Sequence, residues 1–380
     1  MAFDKKWVIC IAILLTCTLP LSALSDSSYL FNRLLNRFTK DNRPPARPRF
    51  LAYPTLGFAP ETSFEFGIGS SLLFHAKNNN KLNRLSEITA FGFITLRSQY
   101  GIWLDNAVYT HRDRWLLLGR MRFQRFPLFY YGIGPDAPAD DPVVVDGNYT
   151  LLRQRVLHQI KGNWFAGVQG DLQQIGQVKF GGERPSRPLP EGSGGSKNIG
   201  MGPSFVYDTR PNMLNTRAGW FSELSWLHYN KALGSDYTFD VFSVDFRRYH
   251  QLNTRSVLAW QVSGNAVRGN APFNMLNLMG NEMLMRGYYT GRFRDKHYYA
   301  AQAEYRWLPF PFSKRLGGAA FLSAGAVSPT FAQLSSQQIK LTAGAGLRYL
   351  IFPKKDIFLR LDAGFTREGV SFYIFTGEAF

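Results

Sequence analysis

Cysteine is nearly missing from this chain of 380 residues, with only Cys10 and Cys17, both inside the first 25 positions. Once such a leader is removed, the remainder has no thiol, no disulfide and no cysteine metal site. Histidine is sparse too. His75, His111, His158, His228, His250 and His297 are dispersed without metal-ligand spacing, so no metal site and no cofactor are expected. No G-x-S-x-G elbow is present, and Gly192-Ser193-Gly194-Gly195-Ser196 reads as a flexible loop, so an enzyme is not expected and no catalytic residue is assigned. Beyond residue 25 no apolar run approaches the roughly 18 residues that a spanning helix needs. Acidic residues are outnumbered, 27 against 44 Lys and Arg, for a formal net charge of +17. The basic residues are scattered, with no clustered basic helix, and nucleic acid is excluded as a partner. Lumen walls and rims against anionic lipid headgroups are the expected destinations.

What the chain does contain is aromatic and glycine-rich: 32 Phe, 18 Tyr and 35 Gly. That mixture suits strands with one face toward lipid. A mean hydropathy of -0.19 is too polar for helical spans, but a barrel averages lipid-facing against lumen-facing residues. Residues 1–25 read as a signal peptide. Lys5 and Lys6 precede an apolar stretch from Val8 to Leu21, and Ala23 and Ser25 fit a cleavage site. Pro20 and the shortness of the stretch argue against a membrane helix. Cys17 lacks a small residue just before it, which argues against a lipoprotein. In 26–48, Tyr29, Leu30, Leu34, Leu35 and Phe38 recur at helical spacing before a proline-rich break. The segment is either a short amphipathic periplasmic helix or a loosely ordered arm, and no separate soluble domain fits there.

Residues 49–380 alternate with period two over segments of about ten residues, the length of a tilted membrane strand. Tyr299, Ala301, Ala303, Tyr305 and Trp307 oppose Ala300, Gln302, Glu304 and Arg306. Ile357, Leu359, Leu361, Ala363 and Phe365 oppose a face carrying Arg360 and Asp362. Charged pairs on one face of otherwise apolar strands fit a wet lumen better than a sandwich core. The fold class is therefore all-β, a transmembrane antiparallel β-barrel of about sixteen strands, the first at 49–58 and the last at 369–380. The segment 235–249 is an exception: Tyr237, Phe239 and Val241 share a face, then the pattern breaks at Asp245, suggesting a bulge or the membrane rim. The longest connections, 128–148, 176–196 and 269–295, all follow odd-numbered strands and so fall on one side, taken as the outer side. Residues 181–196 are rich in Pro, Gly and Ser and read as a mobile outer loop.

Three stretches carry a family resemblance. Met285-Arg286-Gly287-Tyr288 resembles the Arg-Gly-aromatic motif in the sixth outer loop of the BamA/TamA superfamily, the bacterial surface antigen family of outer-membrane assembly barrels. Residues 207–219, YDTRPNMLNTRAG, resemble the family's D-x-R-D-N-x-x-x-P-T-x-G turn, keeping Asp208, Arg210, Asn212, Thr216 and Gly219 but departing at Pro211 and Asn215. The last strand, FYIFTGEAF, places Phe372, Ile374, Thr376 and Phe380 on one face and resembles the terminal signal read by the barrel-assembly machinery. GLRY and FLRLDAG, within 346–364, also look familial.

The resemblance implies a sixth loop folded into the lumen. Such a loop needs an anchor, and an arginine fork on a lumenal carboxylate supplies one. Arg286 is paired with Glu304, beside Gly287 and Tyr288. The family's usual second acid is replaced here by Ser323 in Phe321-Leu322-Ser323-Ala324-Gly325, with Asp362 the substitute.

The implied function is insertion or translocation of proteins, or lipids, at the outer membrane of a Gram-negative-type bacterium, through a weak seam between first and last strands. Expected partners are outer-membrane lipid, client outer-membrane proteins, a periplasmic protein supplying the function of the POTRA domains for which this chain has no room, and the general barrel-assembly machinery. The alternative is a passive or anion-preferring outer-membrane pore, or a structural barrel without assembly activity.

Overall fold

In the computed structural model, the structure describes residues 48–79, 83–140, 142–181, 188–211, 215–352 and 356–380. The signal peptide and, apart from Pro48, the 26–48 arm lie outside the described residues.

Sixteen long strands form the barrel: β1 (Arg49–Ala59), β2 (Ser63–His75), β3 (Leu85–Thr95), β4 (Tyr100–Tyr109), β5 (Trp115–Arg125), β6 (Val143–Lys161), β7 (Trp164–Phe180) and β8 (Ser196–Asp208). They continue with β9 (Gly219–Tyr229), β10 (Phe239–Gln251), β11 (Ser256–Gly269), β12 (His297–Trp307), β13 (Leu316–Ser328), β14 (Lys340–Phe352), β15 (Ile357–Thr366) and β16 (Gly369–Thr376). Each pairs antiparallel with the next, and β1 pairs with β16, so the sheet closes on itself. Closure satisfies the backbone groups that an open edge would expose to lipid, except along the β1–β16 junction, where the pairing is short.

The alternation sorts side chains as the sequence implies. On β15, Leu361 and Phe365 are exposed outward, while Arg360 and Asp362 are buried inside. On β12, Gln302, Glu304 and Arg306 are buried inside the barrel and Ala301 is exposed on the outer surface. The outer face is mainly apolar, as a lipid-facing belt requires.

Two readings of the sequence need correction. No bulge occurs in β10, which keeps continuous register with β9 and with β11 from Phe239 to Gln251. Phe239 and Val241 face inward, where they pack with Tyr229, Val267, Met275 and Leu276. Part of the lumen is therefore apolar, and an apolar residue there breaks the expected pattern without breaking the strand. Second, the loop over 181–196 is not uniformly loose. Residues 182–187 lie outside the described set, but Phe273 N–H donates to Glu191 O at 2.9 Å and Ser196 Oγ donates to Asn274 Oδ1 at 2.9 Å, tying 188–196 to the sixth outer loop. The 128–148 connection also holds more structure than expected. Leu128–Tyr130 pairs with Val143–Val145, extending the β5–β6 hairpin beyond the belt.

At the short-turn end, Tyr109, Leu116, Leu157, Phe165, Val206 and Phe221 form an apolar cluster inside the barrel. The long-loop end is occupied by residues 270–296.

The outward position of Ala301, midway along β12, sets a stability test. Ala301→Arg should destabilise the barrel in lipid vesicles by about 2–4 kcal/mol, whereas Ser243→Arg, on the lumenal face of β10, should stay within about 1 kcal/mol. Urea unfolding followed by tryptophan fluorescence measures both.

Candidate functional site

The sixth outer loop, residues 270–296, is a hairpin. Its stems, Asn277–Met279 and Phe293–Asp295, pair antiparallel, and its tip descends inside the barrel. An apolar core holds the hairpin to the wall: Met279, Leu284, Met285, Tyr288 and Phe293 pack with Tyr298, Ala300 and Val327. Tyr288 meets Phe293 edge to face at 5.4 Å.

At the tip, Arg286 is fully buried between two carboxylates. Its Nη1 donates to Asp362 Oδ2 at 2.6 Å, and its Nη2 donates to Glu304 Oε2. The guanidinium stacks on the Phe321 ring, 3.5 Å from its centroid. The structure thus brings together Arg286, Glu304 and Asp362 from a loop and two non-adjacent strands. Phe321 contributes its ring, while Ser323, standing where the family has an acid, makes no hydrogen bond to another described residue.

Gly287 fits beside Arg286 for steric reasons. Its φ of +114° is one that L side chains rarely adopt, and a Cβ there would lie 2.6 Å from Thr366 Cγ2. Its N–H donates to Tyr373 Oη at 2.9 Å, and its carbonyl accepts from Ser371 Oγ at 2.8 Å. Both partners are on β16. Gly364 of β15 is required by the same approach, since a Cβ would come within 2.7 Å of the Arg286 backbone.

The cluster extends beyond what the sequence singled out. Arg306 Nε donates to Glu304 Oε1 at 2.6 Å, and Arg348 Nη1 donates to Asp362 Oδ1 at 2.5 Å. Arg360 Nη1 donates to Asp362 Oδ2 at 3.1 Å. Arg348 Nε also donates to Glu378 Oε2 at 2.9 Å. Arg306 and Arg360 could have been found, because each stands two residues from an acid on the same strand face. Nothing in the sequence linked Arg348 or Glu378 to Arg286, because strand neighbours across the sheet are distant in the chain.

Phe372 and Ile374 point outward from β16, but Phe380 does not share their face. β16 ends at Thr376, and Gly377, with φ of +91°, turns the following residues inward. Phe380 packs against the inward-facing Tyr249, and its carbonyl accepts from Arg306 Nη2 at 3.0 Å. A glycine in the left-handed region ends the alternation on which the one-face reading depended.

The turn after β8 holds a second cluster. Asp208 Oδ1 accepts from the Arg210 backbone N–H at 3.0 Å, and its Oδ2 accepts from Arg210 Nη2 at 2.9 Å and Tyr109 Oη at 3.0 Å. Arg210 lies over Phe221, 4.2 Å from its centroid. Gly219 takes a φ of +110° against the Arg210 backbone. Asn212 lies outside the described residues. The turn reaches across the short-turn end: Asn215 Nδ2 donates to Asp356 O at 2.9 Å, and Arg217 pairs with the Asp356 carboxylate at 2.6 Å.

The loop is also tied to other connections at its own end. Thr290 Oγ1 donates to Glu61 in the β1–β2 turn, and Arg292 Nε donates to Glu368 Oε2 at 2.8 Å. Burial, then the neighbouring Glu282 carboxylate, push the Glu61 carboxyl up to about 7.

The Omp85 superfamily domain matches residues 109–351, well over half the chain. The chain belongs to the Omp85 superfamily. Among solved structures, BamA from Haemophilus ducreyi lacking POTRA domains 1-3 superposes with a TM-score of 0.53 at 14% identity, over 88% of this chain and 70% of that one. CdiB from Acinetobacter baumannii gives 0.56 at 12% identity, over 87% of this chain and 59% of that one, so the chain spans about three-fifths of CdiB. At these identities the likeness is one of fold. No curated protein matches.

Arg286→Ala would remove the fork that joins the loop to Glu304 and Asp362, which keep Arg306, Arg348 and Arg360, and cost about 1.5–3 kcal/mol at the loop. Single-channel conductance of the variant should rise, and trypsin should cut the loop. Arg286→Lys should not restore wild-type behaviour, since an ammonium lacks the fork that spans both acids.

The Glu61 contact carries a pH dependence. The folded-state value of about 7 lies above the ordinary value of 4.5, so the folded protein holds a proton that the unfolded chain has lost. Its contribution is favoured below 4.5 and declines as pH rises through 7. Loop protection from protease should therefore be greater at pH 5 than at pH 8, and Glu61→Gln should flatten the difference.

Proposed function

We propose that this Omp85 barrel assists insertion or translocation of polypeptide at the outer membrane, with the junction of β1 and β16 as the place where the wall opens. The observation that carries the reading is the thinness of that junction. β15 and β16 pair from Leu359↔Thr376 to Thr366↔Gly369, and β1 and β2 pair from Arg49↔Leu73 to Ala59↔Ser63. Among the described residues, β1 and β16 pair at the single position Phe58↔Ile374. Backbone donors and acceptors left over along two edges are a template for a client strand to add itself by β-augmentation.

The Arg286 cluster is the natural brake on this opening. Gly287 hydrogen-bonds the inner face of β16, so displacing that strand inward or outward breaks contacts with the loop tip. On this reading Arg286, Gly287, Tyr288, Glu304 and Asp362 anchor the loop, and the Asp208–Arg210 turn with Gly219 braces the opposite end. The outward Phe372, Ile374 and Thr376 serve as the stripe by which the barrel-assembly machinery receives this chain. Outer-membrane lipid surrounds the belt, and a periplasmic partner delivers clients. The activity is non-enzymatic, and the long-loop end faces outward. A passive pore is the second reading, and the loop core inside the barrel weighs against it.

A disulfide across the seam tests the proposal. Downstream of Cys17 the chain has no cysteine, so Phe58→Cys with Ile374→Cys introduces a single defined pair. Oxidation should stop photocrosslinking of client chains to β1 and β16, and a reductant should restore it. Equal client capture with the seam locked would rule the seam out.

A further inference from the structure

A second polar chamber lies inside the barrel, away from the Arg286 cluster, between the lumenal faces of β3 to β6 and of β9 and β10. It encloses about 330 Å³, within the range of small-ligand cavities, roughly 300–1,000 Å³. We propose that it binds an oxyanion, a phosphate-bearing group, centred on Arg120.

Arg120 on β5 is the direct cross-strand neighbour of Arg153 on β6. Like charges placed opposite each other destabilise a sheet unless something lies between them. On its other side Arg120 faces Asp105 of β4, but that carboxylate is taken. Arg122 holds it through both terminal nitrogens, at 2.7 and 2.8 Å. Arg120 reaches Asp105 only at 3.8 Å and forms no hydrogen bond among the described residues, and its side chain is 59% exposed within the chamber.

The neighbours carry the same imbalance. Arg153 bonds Asp171 through Nε at 2.6 Å. Arg155 pairs through Nη2 with Glu223 at 2.6 Å, and its buried Nε has no partner among the described residues. The acids lining the chamber are all engaged. Glu87 accepts from Ser71 Oγ at 2.8 Å, and Asp245 accepts from Arg247 and from Gln261 Nε2 at 2.9 Å. A guanidinium offers five donors and no acceptor. The chamber thus has satisfied carboxylates and surplus N–H groups, which an acceptor-rich anion complements and a cation or neutral donor does not. Arginine forks match the geometry of phosphate oxygens.

The apolar cluster around Leu116, Leu157, Phe165 and Val206 lies at the short-turn ends of these strands and floors the chamber there. The guest is either a free phosphate-bearing solute or the headgroup of an anionic lipid. The inference does not depend on whether the β1–β16 seam opens.

Titration calorimetry of the full chain in detergent, with sodium pyrophosphate at constant ionic strength, tests it. Saturable one-to-one binding is expected, weakened at least ten-fold in Arg120→Gln and unchanged in Lys314→Gln at the short-turn rim. Arg120 forms no hydrogen bond among the described residues and Asp105 keeps Arg122, so its replacement leaves that carboxylate paired, and heat-modifiable gel migration verifies the fold. Competition by dihexanoyl phosphatidic acid would identify the guest as a lipid headgroup, and its failure to compete would identify a soluble oxyanion. Absence of saturable binding, or binding that Arg120→Gln leaves intact, would overturn the proposal.

Discussion

The burial of one guanidinium inside a barrel is the constraint around which the rest of this structure is arranged. Arg286 is removed from water completely, and a charge so placed is tolerated only when opposite charges and hydrogen bonds surround it. Glu304 and Asp362 supply the charge, and Phe321 covers one face. Those two acids would themselves repel across the narrow lumen. Arg306, Arg348 and Arg360 balance them and draw in Glu378 from beyond β16. What begins as a loop contact becomes a network joining β12, β14, β15 and the residues after β16. Small residues follow from the same requirement. Gly287 and Gly364 are glycines because the loop backbone lies directly on the strand backbone.

The sheet itself was largely legible in the sequence. Its strands separate lipid from water, so adjacent residues differ in chemistry and the period of two is plain. Glu304 could be placed in the lumen from Tyr305 and Trp307 on the other face, and Arg286 could be paired with it from motif and position. Legibility failed where the lumen stops being polar. Phe239 and Val241 face inward against the base of the sixth loop, so their pattern resembled a register break. It failed again at Gly377, where one positive φ redirects Phe380 from the outer face to the interior. Arg348 and Glu378 escaped notice because a lumenal arginine reads the same whether it meets water or a carboxylate thirty residues away.

The two halves of the lumen use the same residue types in opposite ways. Around Arg286, four arginines share the three carboxylates of Glu304, Asp362 and Glu378, buried beneath the loop. Around Arg120, the acids are already satisfied and arginine donors remain in the open. The positive formal charge is therefore not spread evenly in its effect. Where the loop docks it is buried against shared carboxylates, and across the barrel Arg120 stands open to the chamber.

The contacts of Gly287 also say something about how the molecule comes to be made. Asp362 lies 76 residues after Arg286, and the hydroxyl of Tyr373 that receives the Gly287 N–H lies 86 residues after it. The loop is synthesised well before the strands that receive it. It can settle only when β15 and β16 are in place. A barrel stalled short of its last hairpin leaves Arg286 without Asp362 and Gly287 without its two partners on β16. Completion of the wall and docking of the loop are thereby tied to the same two strands.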